Sequence, residues 1–263
     1  MPAKRYFLFG LLMSLMACQS GGPANGSNEP TANPQPYPNP AAPGFNAGAS
    51  DAEAIAIADS VMEAMGGRKA WDEARYFHWN FFNRRTLLWD KKTGNVRITM
   101  LPDSSTVMAF NLNTGEGQVR VDGALVTEPD SLENLLQQGK SIWINDAYWV
   151  FMPFKLKDSG VTLKHQGVDT TQAGEPADLL QLTFEAVGDT PQNKYLVWVG
   201  KEDHLVRQWA YFGNAEDEAP AFVIPWQNYQ DYNGLKLSGD RGERKITGIE
   251  VLRNRSDEAF RLE

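Results

Sequence analysis

Residues able to do covalent or coordination chemistry are few in this chain of 263 residues, and they are scattered. There is one cysteine, Cys18, and there are three histidines, His78, His165 and His204. The histidines lie too far apart for an H-E-x-x-H pair or another close metal-ligand spacing. His165 falls in register with Val161 and Leu163 and reads as a satisfied histidine at the rim of a core. His204 sits in a "KEDH" hairpin turn, and His78 shares a polar strand face with Asn80. No G-x-S-x-G elbow, phosphate loop or dinucleotide glycine pattern is present. Carboxylates are abundant, including Glu216, Asp217 and Glu218 in "NAEDEAP". That run reads as a solvated loop rather than the ordered oxygen series a calcium site needs. The expectation is a protein without catalysis, metal or cofactor.

Cys18 is the exception, because its context is specific. Lys4 and Arg5 open the chain with positive charge, and Tyr6 to Ala17 is apolar except for Ser14. A basic start and a short apolar run describe an export leader, residues 1–17. The run is too short to span a bilayer, which takes about 20 apolar residues. Leu15-Met16-Ala17-Cys18 resembles the lipobox of bacterial lipoproteins. That likeness implies cleavage after Ala17, lipidation of Cys18 and attachment to a membrane through its acyl chains. Gln19, in place of an aspartate, implies the outer membrane. With Cys18 acylated, no thiol remains for a disulfide, so an exported fold must rest on its core.

Bulk composition narrows the partners. Removing residues 1–17 takes away Lys4, Arg5 and no acid, so the formal net charge falls from −8 to −10. Such an acidic chain is a poor partner for nucleic acid, and no basic cluster stands out in the sequence. Residues 18–50 are rich in Pro, Gly, Asn and Ala, as in "PTANPQPYPNPAAP" from Pro30 to Pro43. They are expected to be an unfolded spacer carrying the domain away from the membrane surface. Residues 51–263 are expected to fold as one domain.

Within that domain, Ser50 and Glu53 have the spacing of a capping box. Ile55, Ala58, Met62 and Met65 then mark one face of a helix that Gly66-Gly67 ends. "RKAWDEA" adds a turn that drops Trp71 into the core. From Tyr76 the period becomes two. Phe77, Trp79 and Phe81 alternate with His78, Asn80 and Phe82, and similar alternations recur at Val96–Met100, Val119–Val121 and Leu180–Phe184. Short turns at Thr93-Gly94-Asn95, Asp122-Gly123 and Asn233-Gly234 join strands into an antiparallel meander. The middle breaks the pattern with two short helices. One is "LENLLQQG", stopped at Gly139; the other is "AYWVFM", capped by Asn145 or Asp146 and ended by Pro153. "AFVIPW" (Ala221–Trp226) reads as a further strand. The fold class is therefore α+β, with a long curved antiparallel sheet and helices on one face.

Three segments carry a family likeness: "ADSVMEAMGGRKAW" from Ala58, "INDAYWVFMPFKLKDSGV" from Ile144, and "NYQDYNGLKL" from Asn228. With them, most of Ala54–Val251 resembles the LolA/LolB-like domain of bacterial lipoprotein-sorting proteins. That likeness implies an unclosed half-barrel holding helices in its concavity, placed in the envelope and facing the periplasm. Eight Trp, eight Tyr and thirteen Phe supply an aromatic surplus, concentrated at Tyr148–Phe151. Those side chains either plug the concavity as plain core or line a slot for an apolar ligand. Candidate ligand-binding residues are Phe77, Trp79, Phe81, Tyr148, Trp149, Phe151 and Met152. The expected function is a lipid-anchored protein that binds or shuttles an acyl chain, a lipid or a lipoprotein tail. The alternative is a structural or sensing lipoprotein that docks an envelope protein on its sheet surface without a ligand.

Overall fold

The computed structural model describes residues 37–103, 105–185 and 188–262. The expected leader, Cys18 and the spacer up to residue 36 lie outside the described residues. The first helix, α1 (Ala52–Ala64), buries Ala54, Ala58, Val61 and Met62; Ala58 and Met62 lie on the face its spacing predicts, Met65 is buried just beyond the helix, and Ile55 is only half-buried. A second helix, α2 (Gly67–Glu73), follows at once and stacks Trp71 on Phe154, with ring centroids 4.5 Å apart. Gly66 between them has φ of +113°, and a Cβ there would sit 2.0 Å from the Gly234 carbonyl oxygen. Only glycine permits that approach.

Six strands then form a meander: β1 (Tyr76–Phe81), β2 (Arg85–Asp90), β3 (Asn95–Met100), β4 (Thr106–Asn111), β5 (Gly117–Val121) and β6 (Ala124–Leu125). Their turns use left-handed residues, such as Asp122 at φ 48° with Gly123 at φ 81°, the pair a tight hairpin requires. Helix α3 (Pro129–Phe151) follows, continued by a 3₁₀ turn at Met152–Lys155. A second meander runs through β7 (Val161–Thr170), β8 (Pro176–Phe184), β9 (Lys194–Gly200), β10 (Val206–Phe212) and β11 (Phe222–Pro225). A small hairpin, β12 (Gln230–Tyr232) and β13 (Leu235–Leu237), precedes β14 (Asp240–Arg241) and β15 (Arg244–Leu252). A 3₁₀ turn at Asp257–Phe260 closes the described chain.

The pairing gives an eight-stranded sheet in the order β14-β15-β1-β2-β3-β4-β5-β6 and a five-stranded sheet in the order β11-β10-β9-β8-β7. The ladder expected as one sheet is thus in two pieces. They adjoin where Trp226 donates to the Arg207 carbonyl and Gln227 bridges to Asp240. Among the described residues no ladder joins β6 to β7, so the wall is unclosed. Both sheets turn their apolar faces inward onto α1, α3 and the first 3₁₀ turn, and one core runs through all of them. This α+β architecture, an open antiparallel wall holding helices, is the one the family likeness implies. No helix among the described residues is long and apolar enough to cross a membrane.

Three local expectations need correction. First, residues 37–50 are not free spacer over their whole length. Asn39 binds Asp59 of α1, and from Gly44 onward the segment runs along the outer edge of β7: Asn46 N donates to the Val161 carbonyl, Asp51 N to the Leu163 carbonyl and Gly160 N to the Gly44 carbonyl. An uncovered edge strand presents unpaired backbone groups, and this segment satisfies them. Second, Ser50 and Glu53 make no capping box. Ser50 Oγ accepts from Leu163 N at 3.0 Å, and Asp51, at the N-cap, accepts from His165 N at 3.0 Å and Lys164 Nζ at 2.9 Å. The edge of β7 claims both side chains. Third, Gly139 stops nothing. One helix of 23 residues runs through it, capped by the Glu128 carboxylate on Asp130 N and Ser131 N. Gly139 is buried, and a Cβ would lie 3.0 Å from both Met108 and Phe110. Its role is close packing of α3 on β4.

Candidate functional site

Helix α3 lies over the eight-stranded sheet with Leu132, Leu135, Leu136, Ile142, Trp143, Val150 and Phe151 packed on the core. The spacing of three and four puts Ile144, Ala147 and Tyr148 toward the five-stranded sheet. Two polar anchors hold its second half. Arg85 on β2 reaches Asp146 through Nε–Oδ2 at 2.6 Å and Nη2–Oδ1 at 2.7 Å, and Asp146 is fully buried. Burial pushes the Asp146 carboxyl up, against the two Arg85 hydrogen bonds that favour its charge. The expectation that Asn145 or Asp146 caps a second short helix is corrected here: α3 runs through both residues, and its N-cap is Glu128. Asn145 donates to Asp146 Oδ1 at 2.9 Å.

The second anchor is Arg241 of β14, which is 1% exposed. Its Nη2 donates to the Trp149 carbonyl at 2.6 Å and to the Ser238 carbonyl at 2.9 Å. Its Nη1 donates to Ser238 Oγ at 3.0 Å and to the Asp240 carbonyl at 2.8 Å. The guanidinium lies 3.4 Å from the centroid of the Trp226 ring. Burial pulls its pKa down to about 9, so it is cationic at neutral pH.

The register of the five-stranded sheet builds the opposing wall. Leu182 pairs with Tyr195, Tyr195 with Tyr211, and Tyr211 with Phe222, while Val197 pairs with Trp209. Since side chains alternate along a strand, Tyr195, Trp209, Tyr211 and Phe222 all face inward. Deeper along the same face Leu180, Val197 and Val199 are fully buried. At the aromatic end the helix and the sheet stand apart and leave a cleft of about 630 Å³. Tyr148, Trp149, Tyr195, Trp209, Tyr211 and Phe222 line it, with Ile144, Ala147, Val161 and Phe184. Asn145, Lys155, Asp158, Thr190 and Asn193 bring polar groups to it, and Lys155 pairs with Asp158.

The aromatic rings are mutually fixed. Tyr195 stacks on Trp209 at 5.3 Å and 12°, and Trp149 meets Trp209 edge-on at 5.1 Å and 87°. Tyr211 stacks on Phe222 at 5.2 Å, and Tyr211 Oη donates to Asn193 Oδ1 at 3.3 Å. Tyr148 Oη, Trp143 Nε1 and Trp209 Nε1 are buried with no hydrogen-bond partner among the described residues. Burial, with Tyr195 beside it, holds the Tyr148 hydroxyl well above its ordinary pKa, so it stays a neutral donor.

Of the seven residues singled out in the sequence, Tyr148 and Trp149 line the cleft. Phe77, Trp79, Phe81, Phe151 and Met152 do not. They are packed in the core beneath α3, where Phe151 sits 4.9 Å from Phe77 and 5.4 Å from Trp79, ring centroid to centroid. The β9–β11 wall was missed, though Trp209 and Tyr211 do sit at the i, i+2 spacing of one strand face.

His165 lies between Glu53, at 3.1 Å, and Asp178, at 3.2 Å, and Lys201 binds Asp178 as well. His78 Nδ1 is 3.0 Å from the Gly248 carbonyl, and His204 is exposed in the turn after β9. Among the described residues no three His, Asp, Glu or Cys side chains are grouped to hold a metal ion. Glu216 and Glu218 are exposed in the loop expected for them.

No protein family and no curated protein matches the chain by sequence. Solved structures similar in fold include the following three. One is a DUF1329 family protein from Desulfovibrio piger, with 12% identity, a TM-score of 0.43, and coverage of 79% of this chain and 96% of that one. A domain described as an outer membrane lipoprotein-sorting protein from Vibrio parahaemolyticus matches at 9% identity and a TM-score of 0.42, over 79% and 96%. A LolA superfamily protein from Nitrosomonas europaea matches at 10% identity and a TM-score of 0.39, over 77% and 96%.

Proposed function

We propose that the protein is a binding protein of the bacterial envelope that takes an acyl chain, a lipid or a lipoprotein tail into the cleft between α3 and β9–β11. The observation that carries this reading is the cleft itself. Its volume of about 630 Å³ is within the range of small-ligand sites, and its walls are mostly aromatic and aliphatic. Helix and sheet together do not fill the open end of the wall. Each ligand CH₂ placed there is worth about 0.8 kcal/mol, so a short apolar tail suffices for measurable affinity. The three unpaired donors on Tyr148, Trp143 and Trp209 favour a ligand with an acceptor beside its apolar body. Binding of this kind needs no covalent step.

In the same reading, acyl chains on Cys18 hold the protein at the membrane, and the residues between Cys18 and Tyr37 give it reach. Cys18→Ser should release the protein from the membrane fraction or leave its precursor uncleaved. A processed, unlipidated Cys18→Ser protein that stays in membranes would overturn the anchor.

The cleft is tested by titrating the purified protein with a fluorescent fatty acid and by mass spectrometry of lipids that accompany it. Ile144→Trp, which adds bulk to the cleft wall, should weaken binding about tenfold or more while leaving the melting temperature near the native value. If the native protein binds no probe and carries no lipid, the ligand reading fails. The docking of an envelope protein on the sheet surface then takes its place.

A further inference from the structure

A second hollow, of about 480 Å³, lies away from the cleft on the opposite face of the eight-stranded sheet. Arg97 on β3 and Arg120 on β5 point outward there, alternating with Val96, Ile98 and Val119 of the core. Between them β4 presents only Val107 and Ala109, the register partners of Arg120 and of Arg97. The chain after β15 crosses this trough and adds Arg255 and Arg261. It is tied down by Arg97 Nη1, which donates to the carbonyls of Ala259 at 3.3 Å and Arg261 at 3.1 Å, and by Tyr76 stacked on Phe260.

Four guanidiniums therefore share one hollow, and among the described residues Glu258 is the only acid lining it. None of the four is in an ion pair among the described residues, although thirteen such pairs occur elsewhere. Arg120 Nε is buried without a partner. Burial pulls the Arg97 pKa down, and the nearby Arg120 charge adds to the effect. Gathering four like charges around one acid is unfavourable, and a chain of net charge −8 has ample carboxylates to neutralise them. The concentration of arginine, rather than lysine, suits an anion with several oxygens in fixed geometry, which a guanidinium fork meets with two parallel bonds.

We propose that this hollow is a binding site for a phosphate group, free or carried on a lipid headgroup, held by Arg97, Arg120, Arg255 and Arg261. It is independent of the apolar cleft. The four residues are spread from β3 to the end of the described chain, so only the fold assembles them.

The test follows the Arg120 Nε–H resonance of the full chain, in detergent, by NMR. Inorganic phosphate and a short-chain phosphatidic acid are the two probes, and chloride at matched ionic strength is the control. A saturable shift with phosphate is expected, and Arg120→Gln with Arg255→Gln should weaken binding about tenfold or more, read from the melting temperature as phosphate is added. Without phosphate, the double variant should melt at or above the native temperature, because repulsion is relieved; arginines serving only structure would lower it. Tighter binding of phosphatidic acid than of phosphate assigns the source to a lipid headgroup, and equal binding assigns it to free phosphate. No saturable shift with either probe, or phosphate binding unchanged in the double variant, would overturn the site.

Discussion

Replacing Arg85 by methionine separates the two roles of the Arg85–Asp146 pair, neutralising charge and locating α3. Methionine keeps much of the aliphatic stem, which matters because the Arg85 guanidinium also lies 5.0 Å from the Phe81 ring centroid. What is left is a fully buried carboxylate whose remaining donor is Asn145 Nδ2 at 2.9 Å. Such a group does not stay charged without compensation; it takes up a proton. The cost at pH 7 is therefore capped by protonating a carboxyl whose unfolded pKa is about 3.9, at about 1.36 kcal/mol per pH unit, or about 4 kcal/mol. At pH 5 the same arithmetic gives about 1.5 kcal/mol.

The folded variant binds a proton that the unfolded chain releases, so its stability falls as pH rises above about 3.9 and stops falling only at the raised folded pKa. Urea unfolding at the two pH values should thus show Arg85→Met losing roughly 2–3 kcal/mol more at pH 7 than at pH 5. The double variant Arg85→Met with Asp146→Leu removes the charge altogether. It should recover to within about 1–2 kcal/mol of the native protein and lose the extra pH dependence. Equal losses at both pH values, or a double variant no better than the single one, would refute this account of how α3 is held.

Three further outcomes follow from the packing. Trp149→Ala should cost about 3 kcal/mol, the lower end for a buried tryptophan because its site opens on the cleft; thermal melts showing only a few tenths would place the indole in solvent. Gly139→Ala should stay within about 1 kcal/mol of native, since better helix propensity offsets pressure on the movable ends of Met108 and Phe110. Gly139→Val, with more volume against β4, should lose about 1–3 kcal/mol in the same melts. A chain beginning at residue 51 should be less stable in urea than one beginning at residue 37 by about 2 kcal/mol or more, because the edge of β7 loses its backbone partners; equal stabilities would return residues 37–50 to the role of spacer.

The strands were legible where one face is core and the other wet, as at Phe77-Trp79-Phe81 and Leu180-Leu182, because burial imposes a period that composition preserves. Punctuation was less legible. Gly139 has the look of a helix stop, yet glycine also marks where two backbones must come close, and only the position of Met108 and Phe110 distinguishes the cases. Ser50 and Glu53 have the spacing of a cap, but the donors that Ser50 and Asp51 satisfy belong to Leu163 and His165, more than a hundred residues away. The proline-rich stretch cannot fold alone, as its composition indicates; it orders over 37–50 because β7 offers an edge. Half of the cleft was legible because Tyr148 and Trp149 are adjacent. The other half was not, since Tyr195, Tyr211 and Phe222 lie on three strands and meet only through register. The arginine hollow left no local trace for the same reason.

The pairing of β1 with β15 has a consequence for how the molecule is made. Tyr76 is matched with Leu252 and Phe81 with Ile246, so the first strand synthesised receives its second neighbour only from the end of the domain. Contacts this distant in sequence are slow to form, and their loop-closure entropy must be met before they stabilise anything. Until residues 244–252 are made, β1 keeps one ladder of backbone groups open and β14 lacks its ladder with β15. The β1–β6 part of the eight-stranded sheet can form strand by strand during synthesis, but its β14–β15 side cannot. A nascent chain lacking residues 244–263 is held back from the native state, and the fold closes as a single late event.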